Sequence, residues 1–156
     1  MEERLYNSKY EIQPRIMLLT VGASGRFFSE EQLLIYDFMA VYAQEFVIGG
    51  QNLHGDNGFK YSEFSVRKQA IEEGVKALVR NGLLKVELQD GFRYAATEEG
   101  VRCFSGMESR YAHEYIEQLG KVLEAYSNCS EQQLQKLIRS KAVKEEDGGR
   151  KLPCTT

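Results

Sequence analysis

The residues whose types could do chemistry are two histidines, three scattered cysteines and a carboxylate set alone in an apolar stretch. His54 has Asp56 nearby but no cysteine or second histidine at ligand spacing, so its surroundings do not spell a metal site. Cys103, Cys129 and Cys154 are odd in number and form no CxxC, which suggests neither a zinc site nor a disulfide framework. They read as reduced thiols of a reducing compartment. His113 lies in a polar helical stretch and reads as exposed. The GASGRF segment carries Gly22 and Gly25 but neither a Walker lysine nor a GxGxxG, and reads as a turn. A Ser-His-Asp triad is assembled in space and so is not visible locally, but no nucleophile elbow points to one. The expectation is a non-enzymatic chain with no cofactor and no metal.

Asp37 is different. It stands among Leu33, Leu34, Ile35, Tyr36, Phe38, Met39, Val41, Tyr42 and Phe46. A carboxylate there must be paired or protonated. Arg15, Arg67 or a partner subunit could supply the pair; a structural hydrogen bond within the fold is the simplest reading.

The elements that position these residues are legible from periodicity. Ile12, Ile16, Leu19 and Ala23 make the stripe of a first helix, Tyr10 to about Ala23, with Pro14 in its first turn. Ser29 and Gln32 form a capping box opening a second helix, residues 30–46. That helix is apolar almost all round, so its cover comes either from the rest of the core or from another subunit. Residues 49–62 are rich in Gly, Asn and Asp and read as a long loop. Ser65 is placed as the cap of a third helix, Val66 to Asn81, closed by Gly82. Leu83–Leu88, the Gln89-Asp90-Gly91 turn and Phe92–Ala96 read as a hairpin, because Asp-Gly between strand-like runs is a strong hairpin signal. Thr97 caps the next helix. Ser109 caps a further one with the stripe Tyr111, Tyr115, Leu119, Val122 and Tyr126. Ser130 and Gln133 open a short last helix.

Helix, hairpin and following cap in that order are the second half of a winged helix-turn-helix. The expected fold is therefore α+β and mostly helical: a winged helix in residues 1–106, a helical extension in 107–139, and a disordered tail in 140–156, where apolar content is low. In the usual docking of such a fold, the helix before the wing enters the major groove. Arg67 and Lys68 at its start, Lys76 and Arg80 further along and Arg93 on the wing are the candidate DNA contacts. Glu72 and Glu73 oppose them, and the mixed face also reads as solvated intrahelical pairs. Residues 62–106 hold seven basic and seven acidic residues, and the whole chain has a net charge of -3. A dedicated nucleic-acid binder usually shows a basic excess. No apolar run approaches the roughly 20 residues of a membrane span, and the polar start has no leader pattern, so a cytoplasmic location is expected.

Three segments together, YNSKYEIQPRIMLL, LLIYDFMAVYAQEF with GGQNLHG, and FSVRKQAIEEGVKALVRNGLL through GFRYAATEEG, resemble the type-two middle component of the bacterial ABC-three-component systems. The resemblance covers about residues 6–125. Asp37, Gly50, Leu53, His54 and Arg67 match the family pattern; Asn52 and Gly55 depart from it, where serine and proline are usual. The resemblance implies a non-catalytic adaptor of an SMC- or Rad50-like ABC ATPase and a variable effector, in an anti-phage defence system similar to Lamassu. DNA would then be reached through the complex rather than by this chain alone. It also implies partner-interface residues: Asp37, Leu53 and His54 from the pattern, with Tyr36, Phe38, Tyr42, Tyr111 and Tyr115 as aromatic anchors. The rival expectation is a homodimeric winged-helix transcription regulator, with the helix from Ser109 to Tyr126 as its dimer element.

Overall fold

The computed structural model describes residues 9–151 except 24, 56 and 57, with side chains from 11 to 145. The elements are α1 (Lys9–Gly22), α2 (Glu30–Val41), a 3-10 turn (Ala43–Glu45), α3 (Phe64–Arg80), β1 (Leu84–Leu88), β2 (Phe92–Ala96), α4 (Glu98–Phe104), α5 (Arg110–Tyr126) and α6 (Glu131–Lys151). Among the described residues this is a mostly helical α+β arrangement with one two-stranded antiparallel sheet. None of these helices is long and apolar enough to cross a membrane.

Local chemistry sets most of the boundaries. At the start of α2 the Ser29 hydroxyl accepts from the Gln32 N–H and the Gln32 side chain accepts from the Ser29 N–H, the reciprocal bonds of a capping box. Ser130 and Gln133 repeat that pattern at α6. Thr97 and Ser109 accept from the backbone N–H three residues on, opening α4 and α5. In the hairpin, Leu84 pairs with Ala96 and Leu88 with Phe92, and both Asp90 and Gly91 take positive φ at the turn.

Three boundaries differ from the sequence reading. α2 ends at Val41 rather than continuing to residue 46, because the chain turns and Val41 O accepts from the Leu53 N–H at 2.8 Å. α3 begins at Phe64, so Ser65 lies inside the first turn and is not the cap; the Phe64 ring packs edge-on against Phe38 at 5.3 Å, and this tertiary contact fixes the start. The last helix does not stop near Arg139. It runs to Lys151, into the stretch expected to be a disordered tail; residues 152–156 lie outside the described residues. Low apolar content speaks to packing, not to helix propensity, and KAVKEE is made largely of good helix formers.

α2 is the axis of the molecule. Every residue from Gln32 to Val41 is buried. α1, α3, α5, α6 and β2 all contact it, so its all-round apolar surface is covered by this chain itself. α5 and α6 contribute Tyr115, Leu119, Val122, Leu134 and Ile138 to the same core as α1 to α3, so residues 107–139 are integral to that core rather than an extension beside it.

Candidate functional site

Four elements bring one polar cluster to the centre of the core. Asp37 on α2 accepts two hydrogen bonds from Arg15 on α1, Nε to Oδ1 at 2.9 Å and Nη2 to Oδ2 at 3.0 Å. Arg67 Nη1 on α3 donates to Oδ2 at 3.1 Å, and the Tyr115 hydroxyl on α5 donates to Oδ1 at 2.8 Å. Asp37, Arg15 and Arg67 are each 1% exposed and Tyr115 is fully buried. The two-pronged Arg15 bond is the fork geometry that makes arginine–carboxylate pairs strong and directional.

The charges do not balance. Guanidinium groups stay protonated in proteins, so two positive charges face one carboxylate. Burial favours the protonated Asp37, but the Arg15 charge and hydrogen bonds, then the Arg67 charge and the Tyr115 bond, outweigh it and hold the carboxyl below its ordinary value. Burial and the Asp37 charge together raise the Tyr115 phenol well above its ordinary value, so it remains a donor. Arg67 Nε and Nη2 have no hydrogen-bond partner among the described residues. The guanidinium lies 5.5 Å from the Phe38 ring centre and 5.6 Å from that of Tyr42, whose negative faces take the place of acceptors.

Beside the cluster, the 49–55 loop folds under α5. His54 Nε2 lies 2.7 Å from the Tyr111 hydroxyl, and its ring is stacked on Tyr111 and edge-on to Tyr42. Burial first, then the positive charges of Arg15 and Arg67, push the His54 pKa down to about 3, so the ring is neutral at physiological pH. Burial raises the Tyr111 phenol to about 12. The loop is held by a Tyr42–Asn52 bridge and by Gln118, whose side chain accepts from the Gln51 N–H at 2.9 Å. A Cβ on Gly50 would stand 2.4 Å from Ala43 O, so the close passage of this loop under the 3-10 turn requires glycine.

The sequence-selected residues therefore separate. Tyr36, Asp37, Phe38, Tyr42 and Tyr115 are at most 1% exposed. Each of these partner-contact candidates is sealed within its own chain. Leu53, His54 and Tyr111 are half-buried around the loop. Of the DNA candidates, Arg67 is buried, its guanidinium bound to Asp37 inside the core. Arg93 is half-buried and tied to Gln89 O and the Gln32 side chain. Lys68, Lys76 and Arg80 are exposed on α3. His113 is exposed on α5; Cys103 is exposed and Cys129 half-buried, while Cys154 and Asp56 lie outside the described residues. Among the described residues no cluster of His, Cys, Asp or Glu is arranged to hold a metal ion.

Two features escaped the sequence reading. Tyr115 looked like a stripe residue, and nothing in a stripe marks a phenol that closes a carboxylate's hydrogen bonds. Val86, Leu88 and Phe92 leave 42%, 76% and 64% of their surface exposed on one face of the hairpin. Strand alternation puts them on one face, but alternation alone does not say whether that face is covered.

Fold and cluster define a small helical chain with a hairpin, its central helix clamped to three others through one buried carboxylate. The family model of the ABC-three component (ABC-3C) system Middle Component 2 matches residues 5–146, and the chain belongs to that family. No curated protein and no solved structure matches it. A middle component of a multi-component system implies partner components.

Proposed function

We propose that the chain is a non-catalytic accessory subunit that links an SMC- or Rad50-like ABC ATPase to an effector, in a defence system of the Lamassu kind. The observation that carries the reading is where the reactive residue types go. Asp37, Arg15, Arg67 and Tyr115 are consumed in holding helices together, with no opening to a substrate, while large apolar side chains stand exposed on the hairpin. That combination suits association rather than chemistry.

The architecture in this reading is a winged helix. α1 leads to Phe28, which exchanges backbone hydrogen bonds with Tyr94 of β2 at 2.8 and 2.7 Å; α2, α3 and the hairpin follow. A short strand-like segment beside the wing, then two helices, then the wing, is the chain order of that fold. With Arg67 in the core and Arg93 tied down, a nucleic-acid role for this chain alone loses two of its five candidate contacts.

Affinity capture of the tagged chain from its native host at physiological salt, followed by mass spectrometry, tests the reading. Recovery of a large coiled-coil ABC ATPase together with a second protein is expected. Recovery of the chain by itself as a dimer that binds DNA, with affinity falling steeply as salt rises, would point to the regulator instead.

A further inference from the structure

The face of the hairpin that carries the exposed apolar residues does not look into empty solvent alone. It forms one wall of a groove of about 310 Å³ whose other wall is the outer side of α3. Val75 and Tyr94 make the floor, Val79, Val86 and Phe92 the apolar walls, and Lys76 and Arg80 the rim. Strand alternation places Leu88 on this same face, opposite Phe92 in register, and turns Glu87 to the other side. No carboxylate lines the groove among the described residues. Lys76 and Arg80 are exposed, and neither forms an ion pair there.

We infer that this groove between α3 and the hairpin docks a segment of a partner protein with an apolar face flanked by carboxylates. Three observations select that occupant. Leu88 and Phe92 are too exposed to serve the core, since Val75 and Tyr94 already close the floor. The two unpaired cations at the rim call for negative charge. The walls between them are hydrocarbon, which suits a side-chain face and gives a phosphate backbone no donors. The inference rests on the accessory-subunit reading for the partner's identity and adds the surface and the chemistry that this partner presents.

The test uses the full chain co-expressed with the ATPase component of its system. A photo-crosslinking amino acid replaces Phe92, or Ile116 on α5 as an exposed comparison site away from the groove. Separately, Phe92→Ser and the pair Lys76→Glu with Arg80→Glu are measured for association, after circular dichroism and melting establish that each folds like the parent. All three positions are exposed, so folding is expected to survive. Crosslinks from position 92 but not 116, with both variants weakening association by about tenfold or more, are the expected result. Full association by both variants would overturn the groove while leaving the accessory reading intact. Failure of the parent chain to associate would sink the accessory reading and the groove with it. DNA binding lost in the charge-reversal pair but unchanged in Phe92→Ser would also overturn the inference, because the surface would then be reading phosphate.

Discussion

Asp37 carries the buried negative charge that binds both guanidinium groups directly. Removing one partner of a buried ionic network leaves an uncompensated charge, at a cost of about 3–5 kcal/mol. Asp37→Asn is therefore expected to destabilise the chain by that amount. Arg67→Met should cost distinctly less, because it leaves the two-pronged Arg15–Asp37 pair intact and removes two donor nitrogens that lack acceptors among the described residues. Urea denaturation of both variants decides this, and equal losses would mean that Arg67 is as fully compensated as Arg15. His54 sets a second expectation. Its pKa is about 3 folded against an ordinary 6.5, so the unfolded chain binds the extra proton between those values. Its contribution is complete above about pH 6.5 and is lost as pH falls toward 3. His54→Gln should flatten the fall in melting temperature between pH 6.5 and 5; an unchanged slope would mean that His54 titrates normally. The sequence marked Asp37 as a carboxylate in need of a partner and named both arginines, since an isolated charge in an apolar helix is conspicuous. It could not show that both bind at once, because that depends on how α1 and α3 cross α2.

The elements were readable where short-range chemistry decides them and not where packing does. Capping boxes at Ser29 and Ser130 and the Asp90-Gly91 turn are local and appear where the residue pattern put them. The start of α3 at Phe64 and the end of α2 at Val41 depend on the Phe38 ring and on Leu53, which lie far along the chain. Lys60 is another such case: a buried lysine within the loop, it reaches Glu45 and, at 3.4 Å, Glu145 on α6, so the last helix is tied to the loop at a point past Arg139. The loop's own clearance is tested by Gly50→Ala. With Ala43 O in the way, the substitution should cost about 1–3 kcal/mol by overpacking and should increase hydrogen exchange at Leu53, whose N–H bonds Val41. Parent-like stability would mean that the 3-10 turn moves aside freely.

On the scale of the whole molecule, the chain seals its ionisable core and leaves Val86, Leu88 and Phe92 exposed together on one face of the hairpin. The order of helices and the hairpin were legible because each is a periodic run with a cap or turn. The cover of the second helix was not: its all-round apolar surface fitted the core or another subunit equally, and only the three-dimensional path shows α1, α3, α5 and α6 enclosing it. The hairpin then becomes the surface on which association is proposed to depend. Light scattering after size-exclusion chromatography, on the purified chain mixed with the ATPase component of its system at physiological salt and without DNA, tests the accessory-subunit reading most directly. A single species with the summed mass of chain and ATPase is expected; separate elution of the two, with the chain as a DNA-binding homodimer, would contradict it.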